Sequence, residues 1–158
     1  MTRFYTALVL FLALPIAGSV CLAQADLADP AGGALRASDG QPVAIWITHV
    51  KADRRAEFES LLDKFWKAGD AAYRSGKMEE KMRAAYRGVR VLYPQAPEED
   101  GTYTYVYLVD PYLPGANYEM LDFWRLSYPE DEARKLDQQM GETMAAPQGE
   151  IYVVQKGY

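Results

Sequence analysis

Residues 102–109 read Thr-Tyr-Thr-Tyr-Val-Tyr-Leu-Val. In a strand, successive side chains point to opposite faces. Tyr103, Tyr105 and Tyr107 therefore form one row, and Thr104, Val106 and Leu108 the other. Neither row is an ordinary solvent face, so the strand is expected near the centre of a sheet. A row of phenols suits core packing, a subunit interface or a ligand pocket. Thr104, Val106 and Leu108 look the better match to a helix-covered face, so the expectation is that the tyrosines mark a subunit interface.

Two further strands frame this one. Val43–Lys51 (Val-Ala-Ile-Trp-Ile-Thr-His-Val-Lys) is apolar on both faces for most of its length, as a central strand would be. Gly88–Pro94 is shorter, with Val89 and Val91 on one face and Arg90 and Leu92 on the other. Residues 94–101 contain Pro, Glu and Asp-Gly and read as a polar hairpin connection, making the tyrosine strand antiparallel to its predecessor. Ile151–Gln155 is the last strand.

The helices lie between. Asp53 suits an N-cap, and Ala56, Phe58, Leu61, Leu62, Phe65 and Ala68 follow at helical spacing to about Arg74, before a break at Gly76. Lys77–Tyr86 is expected to form a short extra helix, with Met78, Met82 and Ala85 on one side. After a Pro/Gly loop over residues 111–117, Tyr118–Tyr128 begins the second main helix. Pro129 can open a further segment, whose acidic first turn suits a helix N-terminus and whose buried stripe is Ala133, Leu136 and Met140. The order β-α-β-β-α-β is the ferredoxin-like, split βαβ arrangement, an α+β sandwich with helices on one face of an antiparallel sheet. The other face needs a cover, and a second copy of the chain is the simplest one.

The N-terminus reads as an address. Arg3 is the only charge before Asp26, an apolar run spans Phe4–Val20, and Ala23-Gln24-Ala25 is an A-x-A cleavage pattern. The expected organisation is a signal peptide over 1–25, a flexible leader over 26–41 and one domain over 42–158, periplasmic or secreted. An uncleaved anchor helix and acylation of Cys21 are weaker readings, the second because Val20 and Gly18 fit a lipobox poorly. Cys21 is the only cysteine and would leave with the signal, so no disulfide supports the exported chain. The chain has 17 basic and 22 acidic residues; without Arg3 the balance is 16 against 22, a net charge of −6. That argues against nucleic acid and anionic membrane as partners, and no stable membrane insertion is expected after cleavage.

Ile45-Trp46-Ile47-Thr48-His49-Val50-Lys51, running into Ala52-Asp53-Arg54-Arg55-Ala56-Glu57-Phe58-Glu59-Ser60-Leu61-Leu62, resembles the dimeric α/β-barrel superfamily. Within it, the chain is most similar to the antibiotic-biosynthesis-monooxygenase-like (ABM-like) group. The carrying motif is a first strand ending in Val-Lys, a short turn, then a charged helix with Glu-Phe. The resemblance covers roughly residues 43–158; residues 74–87 depart from it and look like an insertion. It implies a homodimer whose two sheets close into a barrel, with ligand pockets between sheet and helices. It also brings cofactor-free oxygenases of polycyclic phenols and haem-degrading enzymes into view. The haem-degrading branch uses an Asn on the first strand and a helical His, and this chain has neither.

The candidate residues each carry two readings. His49, the only histidine, could act as a general base, though a strand-end histidine bonded nearby is the commoner case. Arg90, inside an apolar strand, could steady an oxyanion or pair with an acidic neighbour. Trp46, Trp66, Tyr105, Tyr107 and Trp124 could hold an aromatic ligand, or simply pack. No cofactor motif is visible, and one histidine without cysteines makes a zinc site unexpected. The leading expectation is an exported homodimeric barrel binding a small aromatic molecule without catalysis. The alternative is a cofactor-independent oxidoreductase on a phenolic substrate, with His49 and Arg90 as its catalytic pair.

Overall fold

Apolar side chains on both faces place the strand over Pro42–Val50 (β1) inside the sheet, and there it pairs with two neighbours. The computed structural model describes residues 36–157. After a 3-10 turn at Ala52–Arg54 come helix α1 (Arg55–Arg74), helix α2 (Glu80–Gly88) and strand β2 (Val89–Leu92). Strand β3 (Tyr103–Val109), helices α3 (Met120–Arg125) and α4 (Glu130–Thr143), and strand β4 (Gly149–Val154) complete the order. The four strands form one antiparallel sheet in the order β2-β3-β1-β4, so β3 and β1 are its interior strands. This is the ferredoxin-like arrangement, with the second helix split in two and α2 added before β2.

The tyrosine row faces the helices, contrary to the expectation from its composition. In register, Val50 faces Tyr103, Thr48 faces Tyr105, Trp46 faces Tyr107 and Ala44 faces Val109. Most of these side chains are buried, and Val50, Tyr105, Tyr107 and Val91 belong to the core with Phe58, Leu62, Phe65, Phe123, Trp124, Leu136 and Met140. The reason is reach. Bulky rings fill the roughly 10 Å layer between sheet and helices better than Thr or Val, and a phenol can bury its ring provided its hydroxyl finds a partner. Tyr105 does so, donating to Glu59 Oε1 of α1 at 2.6 Å, with its ring 4.6 Å from that of Phe58.

Ile45, Ile47, Val106, Leu108 and Leu92 lie on the opposite face, joined by Ile151 and Val153 of β4. No helix of the described residues covers them. Leu92 is 55% exposed and Ile151 47%.

Helix ends follow their sequence signals only in part: α2 spans Glu80–Gly88 where Lys77–Tyr86 was expected, and α3 only Met120–Arg125 where the helix was expected over Tyr118–Tyr128. α1 stops where Gly76 adopts φ +73°; Gly76 N–H bonds to Tyr73 O (3.3 Å) and Lys77 N–H to Ala72 O (3.0 Å), a Schellman closure that a side chain would strain. Asp53, expected to cap α1, lies instead within the 3-10 turn, and the helix begins after Arg54 without a side-chain cap. Residues 36–41, read as part of a flexible leader, are held: Gly40 N–H donates to Gln155 O and Gln155 N–H to Gln41 O, both at 2.9 Å, while Ala37 N–H meets Asp110 Oδ1. The signal peptide expected over 1–25 and the rest of the leader lie outside the described residues. No helix among the described residues is long and apolar enough to cross a membrane.

α2 is locked to α1 by a close approach. A methyl group on Gly69 would lie 2.7 Å from Tyr86 Cε2, and Tyr86 OH donates to Asp70 Oδ1 at 2.7 Å. Gly69→Ala gains about 1 kcal/mol of helix propensity but must displace a packed ring, an overpacking cost of about 1–3 kcal/mol. A lower thermal midpoint by circular dichroism is expected, with Gly141→Ala, whose Cβ meets nothing within 4 Å, as the control that does not fall.

Candidate functional site

A cavity of about 530 Å³ lies between the sheet's helix side and the helices, within the size range of small-molecule sites. Trp46 of β1 and Tyr107 of β3, register partners, form the sheet side of its floor. Phe65 and Trp66 of α1, Tyr86 of α2, Phe123 of α3 and Met140 of α4 close it from the helices. Its mouth is more polar: Tyr112, Asn117, Tyr118 and Glu119 from the loop before α3, Asp137 and Gly141 from α4, and Gln148, Glu150 and Tyr152 from the last strand and its approach.

The mouth loop is ordered by its own tyrosines. Tyr118 sets its ring edge-on to Trp46 (5.3 Å between centroids) and its hydroxyl accepts the Leu113 N–H at 2.9 Å. Tyr112 stacks on Tyr118 at 5.3 Å and meets Tyr152 edge-on at 5.1 Å. Asn117 accepts the Glu119 N–H and donates to Asp122, which fixes the entry into α3.

The floor holds polar atoms without partners. Tyr107 OH and the Nε1 atoms of Trp46 and Trp66 are buried and make no hydrogen bond to protein. Each such group costs about 1–3 kcal/mol; Trp124 Nε1, in the core away from the cavity, is also unbonded, so it is the gathering of three such atoms around one cavity that suits a bound molecule. Burial pushes the Tyr107 hydroxyl well above the ordinary phenol range, so it is a neutral donor and acceptor. Burial, reinforced by nearby Glu119, pushes the Asp137 carboxyl above its ordinary value, with Arg125 acting in the other direction.

The other sequence candidates go elsewhere. Tyr105 belongs to the core at the far end of the sheet, tied to Glu59. Trp124 is fully buried, its ring edge-on to Phe65 (5.2 Å) and Tyr128 (5.7 Å), and does not line the cavity. His49 and Arg90 lie on the opposite face of the sheet from the cavity. His49 Nδ1 shares a hydrogen bond with Thr104 Oγ1 at 3.1 Å, and Arg90 donates to Asp110 Oδ2 at 2.7 Å. Their partners on β3, Thr104 and Leu108, are four residues apart, roughly 14 Å along the strand. The structure therefore brings Trp46, Trp66 and Tyr107 together and leaves His49 and Arg90 apart from them and from each other.

Residues that the sequence reading passed over complete the site: Tyr118, Glu119, Asp137, Met144 and Glu150. One signal was present. Asp137 falls four residues after Ala133 and three before Met140, a carboxylate beside the helix's apolar stripe.

No family model matches the chain, and no curated protein does. One solved structure is similar. It is that of a "putative antibiotic biosynthesis monooxygenase" from Caulobacter crescentus CB15, 18% identical, with 75% of this chain and 92% of that one aligned at a TM-score of 0.40. Its description is of the group the sequence resembles.

Proposed function

We propose that this chain is an exported, homodimeric barrel protein that binds a small aromatic molecule in the helix-side cavity without transforming it. The observation that carries the reading is the cavity floor, where Tyr107, 6% exposed, holds an unpartnered hydroxyl among the rings of Trp46, Trp66 and Phe123. A flat ring bearing a hydroxyl satisfies both the apolar walls and that group. Dimerisation through the uncovered sheet face accounts for Ile45, Ile47, Val106 and Leu108, which otherwise meet water in a row. The oxygenase alternative loses its catalytic pair, because His49 and Arg90 lie across the sheet from the cavity. No step of that chemistry is left to them there without a rearrangement of β1 and β2.

The test is titration with 4-ethylphenol followed by tryptophan fluorescence. Saturable quenching is expected in the parent protein. Gly141→Phe should weaken it at least tenfold while leaving the circular dichroism unchanged, since Gly141 lies at the cavity mouth in helical conformation with open space at its Cβ. Quenching that does not saturate in the parent, or saturates equally in Gly141→Phe, refutes the reading.

A further inference from the structure

The charge of the cavity limits what it can hold. Among the described residues, its lining includes three carboxylates, Glu119, Asp137 and Glu150, and no Lys, Arg or His. Glu150 accepts the Tyr152 hydroxyl at 2.8 Å. Among the described residues, no ion pair or side-chain hydrogen bond engages the Glu119 or Asp137 carboxylate. Arg125, which acts on Asp137 electrostatically, is already held by Glu130, with Oε2 at 2.8 Å from Nε and Oε1 at 2.8 Å from Nη2, and by Asp122.

An acidic mouth alone would mean little, because carboxylates are ordinary on a helix surface. The floor makes the difference. Tyr107 is buried with its hydroxyl unpartnered, and Trp66 presents a buried N–H that lacks an acceptor; the buried N–H of Trp46 makes no well-formed hydrogen bond, with the Tyr152 hydroxyl near it. Two indole donors and a phenol call for an oxygen at the inner end of the ligand. Uncompensated carboxylates call for a positive charge at the outer end. Aromatic rings between the two suit the face of an arene and also favour a cation beside them. An anion, whether a phenolate or a carboxylate, would meet like charge at the mouth and no basic group within.

We propose that the ligand is an aromatic amine bearing an oxygen at the far end of its ring, with the hydroxyl at Tyr107 and the ammonium beside Asp137 and Glu119. This rests on the binding reading above and adds the sign and position of the ligand's charge.

Three probes share one ring and hydroxyl and differ in charge: tyramine, 4-ethylphenol and 4-hydroxyphenylacetate. Titrations by calorimetry at pH 7 and low salt should give tyramine a dissociation constant at least tenfold below that of 4-ethylphenol, about 1.4 kcal/mol. 4-Hydroxyphenylacetate should be the weakest. Asp137→Asn should remove most of the amine preference, weakening tyramine far more than 4-ethylphenol. Glu119→Gln should do so in part. Added salt should narrow the gap between tyramine and the neutral phenol.

Equal affinity for tyramine and 4-ethylphenol overturns this inference and leaves the binding reading standing. So does a preference that survives both substitutions in folded variants. Failure of all three probes to bind overturns the inference and the binding reading together.

Discussion

Trp124→Ala lowers the free energy of unfolding by about 3–5 kcal/mol, the range for truncating a buried aromatic, with the loss read as a fall in urea midpoint at unchanged slope. The ring is 0% exposed and sits edge-on to Phe65 of α1 and Tyr128 of the α3–α4 connection. It thus pins α1, α3 and the connection into α4 together over the sheet. A domain of this size has about 5–15 kcal/mol in total, so the variant is expected to be partly unfolded near body temperature. Trp66→Ala, by contrast, removes a half-buried ring at the cavity wall and should cost clearly less. If Trp124→Ala and Trp66→Ala prove equally mild, Trp124 is not the core residue described here.

Ile45→Glu is expected to abolish dimerisation. Ile45 lies at the centre of the uncovered sheet face, flanked in register by Leu108 of β3 and Ile151 of β4. In a two-fold dimer each substitution counts twice. Burying an unpaired carboxylate costs at least about 3 kcal/mol per copy, so the pair shifts the dissociation constant by about 10⁴-fold. Light scattering at micromolar concentration should give a dimer for the parent and a monomer for the variant. Circular dichroism should change little, because the helix side of the sheet is untouched. A parent that is monomeric, or a variant that stays dimeric, sinks the proposed assembly.

Periodicity carried most of the fold. The alternation in 102–109, the apolar run of β1 and the helical stripe from Phe58 to Ala68 placed two strands and the main helix close to where they stand. That Val89 and Val91 share one face of β2 was legible for the same reason; that this face points inward was not. The face of the tyrosine row was not. Tyrosine is apolar enough for a core and polar enough for an interface, so composition could not choose. What decides is Glu59, forty-six residues earlier in sequence, which supplies Tyr105 with an acceptor. The site was legible in part. Trp46 and Tyr107 meet because β1 and β3 pair in one particular register, which no local pattern reveals. The mouth comes from a Pro/Gly loop, an acidic helix and an exposed edge strand, where period and propensity say least. His49 and Arg90 attracted attention by residue type, yet strand parity alone puts them with Ile45 and Leu108, away from Trp46 and Tyr107.

The central claim is that the helix-side cavity is the binding site, and the chain's three tryptophans report on it separately. Trp46 and Trp66 line the cavity with unbonded indole N–H groups; Trp124 is in the core away from it. Proton–nitrogen correlation spectra of the labelled protein should show three indole signals. On addition of tyramine or 4-ethylphenol, those of Trp46 and Trp66, assigned by substitution, should move together along a single saturation curve, with Trp124 nearly still. Signals of Trp46 and Trp66 that stay in place at saturating ligand would contradict the account.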